Sequence, residues 1–245
     1  MFWNERSRTL SGLPTCASGW ARPRRGTGEQ AVKVEIYSDV VCPWCYIGKR
    51  RFEKALEAFP GAEDVEVIYR PFQLNPLATR AVQPSAQVYE RKFGRPAETI
   101  FGPLTQAAAA EGITFRMEDA LATSTFTAHR LLWLAAREHR QAEVKEGLLA
   151  LYFTNGGDLG DHEQLAEVAS AAGLDREAAL VFLASDEGVE EIRSELAAAA
   201  ELGISSVPTF VFDGRFAVQG AQSPELLLET LTRVAGRASA AAGRD

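Results

Sequence analysis

The chain has 245 residues, a formal net charge of −7, 46% hydrophobic and 24% charged side chains. That balance belongs to a globular protein with a sizeable core. Its acidic sign excludes a nucleic-acid binder, which would show a basic face, and no apolar run approaches the ~18 residues of a membrane-spanning helix.

Residues 1–30 hold five arginines against two glutamates, so this stretch is +3 and the remainder −10. It is rich in Ser, Thr, Gly, Pro and Arg without periodicity, and is expected to be a disordered tail. No apolar segment follows Arg24-Arg25, so no secretory signal is readable, and the expected location is the cytoplasm. Cys16, within this stretch, is expected to be an exposed bystander.

Val32 to Tyr37 alternates apolar residues with Lys33 and Glu35 and reads as a strand. A helix then starts at Cys42, with Pro43 in its first turn. Phe52, Ala55, Leu56 and Phe59 make its apolar face. Lys49, Arg50 and Arg51 are expected on its solvated side. Val65 to Tyr69 is a second strand, which makes residues 32–70 a strand–helix–strand unit.

Arg70 to Pro76 leaves the sheet. Helices are expected at 85–93, 103–111, 125–140, 143–153, 161–172 and 176–185, with 113–115 short and extended. Residues 188–202 form another helix, and Gly203 to Pro208 turns into the strand 209–212. Asp213-Gly214 suits a two-residue hairpin turn, and residues 215–219 pair back. Ser223-Pro224-Glu225 opens a helix to about Val234, and 236–245 reads as an Ala/Gly/Arg tail.

The informative stretch is Asp39-Val40-Val41-Cys42-Pro43-Trp44-Cys45. Two cysteines three residues apart at a strand-to-helix junction can form and break a disulfide. The thiolate is the reactive species. At a helix N-terminus, unpaired N–H groups and the macrodipole favour an anion at Cys42. Cys42 is therefore expected as the nucleophile and Cys45, one turn deeper, as the resolving thiol. A structural zinc site wants four protein ligands. There is no second C-x-x-C, and His129, His139 and His162 lack ligand spacing, so no metal is expected. Asp39 reads either as a residue that tunes the thiolate or as a solvated loop acid or cap. His129 reads as an inter-helix histidine, and Trp133, Phe126 and Tyr152 read as core.

Strand, Cys-Pro-Trp-Cys, helix, strand, a run of helices and then Gly-Ile-Ser-Ser-Val-Pro-Thr-Phe together resemble the thioredoxin superfamily. Ser38 to Arg51, with Phe-Gln-Leu-Asn-Pro and Ala-His-Arg-Leu, resembles the FrnE-like branch of the DsbA family over about residues 32–234. The resemblance implies an α/β thioredoxin-like fold with an all-helical domain inserted after the second strand. The layout is then 31–75 first part, 76–187 helical insertion and 188–235 second part. It also implies that Pro208 is cis and faces the cysteines, with Val207 offering backbone groups to an extended substrate. The implied activity is thiol–disulfide exchange, with disulfide isomerisation included. Its substrates would be thiol or disulfide proteins, its redox centre the Cys42–Cys45 disulfide, and no other cofactor would be tightly bound. Glutathione enters as a candidate co-substrate, because the same branch resembles hydroxychromene-carboxylate isomerase and kappa-class glutathione transferases. Those enzymes generally carry serine where Cys42 stands. Periplasmic DsbA enzymes carry histidine where Trp44 stands, and a histidine can help hold the thiolate. Pro43-Trp44 therefore implies a less oxidising couple. A Trp44→His protein is expected to shift toward the dithiol in equilibrium with glutathione, and an unchanged equilibrium would contradict this.

Overall fold

The computed structural model describes residues 32–79 and 82–242, with side chains through Arg237. The tail expected over residues 1–30, Cys16 included, lies outside the described residues.

The elements are β1 (Val32–Ser38), α1 (Pro43–Glu57), β2 (Val65–Pro71), β3 (Gln83–Pro84), α2 (Ser85–Phe93), α3 (Ala97–Ala109), β4 (Leu121–Ala122), α4 (Phe126–Arg137), α5 (Gln141–Phe153), α6 (His162–Ala171), α7 (Arg176–Ala184), α8 (Val189–Glu201), β5 (Thr209–Phe212), β6 (Phe216–Gln219) and α9 (Pro224–Ala242). Four strands make one sheet in the order β2-β1-β5-β6. β1 runs parallel to β2 and antiparallel to β5, and β5 and β6 form a hairpin. A parallel pair needs a crossover, and α1 supplies it.

Alternation along β1 decides which side chain meets which helix. Val32, Val34 and Ile36 face Phe52 and Ala55 of α1 and Leu227, Leu231 and Val234 of α9. Tyr37 turns to the opposite face, where Val211, Ala199 of α8 and Ile204 pack. The larger core lies among α3 to α7 and takes in Val40, Tyr46 and Ile47. The first turns of α1 thus belong to the helical core and its later turns to the sheet core. The cysteine pair sits where the two cores meet.

Charged and polar ties hold this junction. Glu146 of α5 receives Lys49 Nζ at 2.6 Å, the Tyr46 hydroxyl at 2.7 Å and the Arg50 guanidinium. Lys49 is only 4% exposed, so it is not the solvated side chain that helical spacing implies. Arg51 likewise is held by Glu111 at 2.6 Å and by the Ala221 carbonyl at 2.6 Å. β2 is an edge strand, and its backbone groups there need partners. Gln141 supplies them, accepting from Tyr69 N–H at 2.9 Å and donating to the Tyr69 carbonyl at 3.0 Å.

Several boundaries differ from the sequence expectation. α3 begins at Ala97 and carries Pro103 inside it. Burial of Ile100, Phe101, Leu104 and Ala108 on one stripe outweighs the hydrogen bond that proline removes. Residues 113–115 belong to no helix or strand, and Ile113 and Phe115 are buried in the core. The two-residue pair β3–β4 leaves no periodic signal. α9 does not stop at Val234 but runs to Ala242, through an alanine-rich stretch of high helix propensity. The hairpin turn is as expected, with Asp213 and Gly214 at φ 49° and 64°.

Candidate active site

β1 ends at Ser38, and the chain turns at Asp39 to Val41 before α1. Cys42 is the N-cap of α1, with extended φ −93° and ψ 113°, and Pro43 opens the helix. The Cys42 carbonyl accepts from Cys45 N–H at 3.0 Å. Both thiols are free. Cys42 is 4% and Cys45 2% exposed, whereas Trp44 between them is 45% exposed.

The second loop arrives from the far end of the chain. The Val207–Pro208 peptide is cis, as the resemblance implied. Cys42 Sγ donates to the Val207 carbonyl at 3.7 Å. Gly48, two turns along α1, lets this loop approach: a methyl there would meet Pro208 Cγ at 2.9 Å and Ala221 Cα at 3.5 Å. Two stretches some 165 residues apart are thereby joined into one site.

Beneath the cysteines lies a buried polar cluster. Asp39 is fully buried, which excludes the solvated loop acid, and the N-cap of α1 is Cys42 rather than Asp39. The Asp39 carboxylate accepts from Val40 N–H and Leu74 N–H, both at 2.8 Å. His129 Nε2 lies 3.3 Å from Asp39 Oδ1 and 3.0 Å from the Phe72 carbonyl. Both neighbours are acceptors, so Nε2 carries the hydrogen. Asp39 therefore binds the β1–α1 turn to the segment after β2, and His129 fastens α4 to both. Sequence reading separated Asp39 and His129; the fold makes them partners.

Cys45 lies deeper. Burial first, then its neighbour Cys42, pushes its thiol well above the ordinary range, while Lys145 and the Asp39 backbone pull the other way. Lys145 of α5 is 1% exposed. Burial pushes its ammonium down to about 8, against the opposing pull of Cys45, Asp39 and Cys42. Sequence reading missed Lys145, but a signal existed. Positions 145, 148, 149 and 152 share one helical stripe, and its other members, Leu148, Leu149 and Tyr152, are buried apolar side chains.

Cys42, Pro43 and Trp44 face a cavity of about 990 Å³. Val88, Ile100 and Leu104 of α2 and α3 give it an apolar lining, Tyr89 and Tyr152 add phenols, and Asn75 and Val207 line it as well. Burial raises both phenols, so they stay neutral. Arg91, Lys92 and Arg95 also line it, and among the described lining residues there is no carboxylate. Elsewhere among the described residues no three potential metal-ligating side chains come together, and no helix is long and apolar enough to cross a membrane.

Residues 33–232 match the model of the DSBA-like thioredoxin domain. The probable DsbA oxidoreductase SCO1869 from Streptomyces coelicolor is 40% identical, with a TM-score of 0.79 over 84% of this chain and 90% of that one. The uncharacterized protein YwbO of Bacillus subtilis (strain 168) is 26% identical over 82% of this chain and 96% of its own length. The cytosolic disulfide reductase DsbM from Pseudomonas aeruginosa, at 18% identity, shares the fold with a TM-score of 0.53 over 82% of this chain and 97% of its own, and it has also been solved with GSH. A match across both sheet halves and the helices between them leaves one assignment: this chain belongs to the DSBA-like thioredoxin domain family.

Proposed function

We propose that this protein is a cytoplasmic thiol–disulfide oxidoreductase, FrnE-like in type, that exchanges disulfides with protein substrates and glutathione through Cys42 and Cys45. The observation that carries the reading is the pairing of an N-cap thiol with the Val207 carbonyl across a cis proline, with a second thiol buried one turn behind. The Cys42 thiolate attacks a substrate disulfide in line, one substrate sulfur leaves, and a mixed disulfide forms on Cys42. Cys45 then attacks Cys42 Sγ, closes the Cys42–Cys45 disulfide and releases the second substrate sulfur. Run backward, the same steps oxidise a dithiol, and re-attack on a different sulfur of the same substrate makes the enzyme an isomerase. Pro43 and Trp44 border the attacking sulfur and tune it, and Val207 and Pro208 receive the substrate backbone. The cytosolic disulfide reductase among the structural relatives and the single cysteine pair of the described chain support the cytoplasmic assignment.

A second reading is a glutathione-dependent isomerase or transferase acting on a small aromatic substrate. The large, partly apolar cavity with cationic lining beside Cys42 favours it. Cys45 separates the two. Under the exchange reading, Cys45→Ser accumulates mixed disulfides with cellular proteins, visible on non-reducing gels and identified by mass spectrometry. Under the second reading, Cys45→Ser traps nothing and keeps its activity.

A further inference from the structure

Lys145 stands out among the buried charges because its partners are already spoken for. Its Nζ is fully enclosed and has no hydrogen-bond partner. A buried ionisable group in that condition is destabilising unless some state of the protein satisfies it. Around it, β2 presents the Tyr69 ring, with Nζ 5.6 Å from its centroid. The β1–α1 turn presents Asp39, and α1 presents Cys45, Cys42 and Lys49. Asp39 is saturated by two backbone N–H groups and His129. Lys49 is held by Glu53 at 2.5 Å and Glu146 at 2.6 Å. The remaining group that can change charge beside Lys145 and has a chemical reason to do so is the resolving thiol.

We propose that Lys145 is the counter-charge of Cys45, a positioning residue for the resolving half of the exchange reaction; this rests on the exchange reading above. Burial opposes a lone thiolate and a lone ammonium alike. An ammonium at Lys145 and a thiolate formed beside it at Cys45 each offset the other's desolvation. The step begins with substrate sulfur bonded to Cys42 Sγ. Cys45 gives up its proton beside the Lys145 ammonium, and its thiolate attacks Cys42 Sγ. The Cys42–Cys45 bond forms as the Cys42–substrate bond breaks. The substrate leaves as a thiolate and takes up the proton that Cys45 gave up, so the pair is oxidised, the substrate sulfur reduced, and the Lys145 ammonium is left beside a disulfide.

The test uses the reduced full-length protein mixed with an aromatic disulfide that releases a coloured thiolate, followed by stopped flow. The first release reports attack by Cys42 and the second reports resolution by Cys45. In Lys145→Met the first phase is expected to persist. The second is expected to slow roughly tenfold at pH 7, with its pH midpoint raised by about one unit. A folded Lys145→Met with an unchanged second phase and midpoint overturns the proposal. A role in packing alone would move stability and leave that midpoint in place. If the variant does not fold, 13C labelling of the wild-type lysines decides. The Lys145 side-chain midpoint is expected to be higher in the dithiol than in the disulfide form, and equal midpoints overturn the proposal. A wild-type protein lacking the first phase fails the exchange reading instead, and the labelling comparison between the two redox forms still judges Lys145.

Discussion

Cys42→Ser is expected to bring insulin-disulfide reduction down to the rate of the added reductant alone, a loss on the order of 10³-fold or more. Disulfide exchange requires a sulfur nucleophile that ionises near neutral pH, and a serine hydroxyl neither ionises there nor forms a bond to sulfur that can be exchanged. Cys45 cannot stand in. It does not line the cavity that Cys42 faces, and its thiol is held above its ordinary range by burial, so it does not meet substrate as a thiolate. Cys45→Ser, by contrast, is expected to keep the first attack and lose turnover. A Cys42→Ser protein that reduces insulin at the wild-type rate would remove Cys42 from the mechanism.

Lys145→Met is expected to make the reduced protein more stable at pH 7, by about 1–3 kcal/mol. Burial sets the Lys145 ammonium at about 8 in the folded chain, below the ~10.4 of a lysine in an unfolded one. Between those values the unfolded chain binds the extra proton, so wild-type stability rises with pH across the window from about 8 to about 10.4. The full penalty is present below pH 8 and is gone above the unfolded value. Methionine removes the charge and keeps the volume, so its advantage is largest near neutrality and shrinks through that window. Urea unfolding of both proteins from pH 6 to pH 10 measures it. A Lys145→Met protein that is less stable throughout, with a wild-type curve flat above pH 8, would contradict the assignment. A gain in stability beside a slower resolving step would mean that this lysine is retained for chemistry and at the expense of the fold.

Much of the architecture was legible because it is written in local patterns. Period-two alternation marked β1 and β2, helical spacing marked α1 and α4 to α8, and Asp213-Gly214 marked the hairpin turn. Where the local pattern was weak or was overruled, the expectation slipped. Pro103 hid the first turns of α3, because the burial of Ile100 and Phe101 that stabilises them is a tertiary fact. The pair β3–β4 is too short to have a period. Lys49 reads as a surface lysine until Glu146, 97 residues away, arrives beside it.

The same division runs through the site. Cys42-Pro43-Trp44-Cys45 after a strand and into a helix carried the expectation of thiol–disulfide chemistry on its own. The place of one residue at a helix start and the depth of another one turn further are both local consequences of helix geometry. Resemblance added Val207 and Pro208, and the structure supplied their contact with Cys42. Tertiary structure alone decided what lies underneath. Asp39, His129 and Lys145 come from the β1–α1 turn, α4 and α5, and each would be an ordinary polar residue if it faced water. Packing of the two cores against each other takes them out of solvent together. A carboxylate, an imidazole and an amine are thereby buried together beside the cysteine pair.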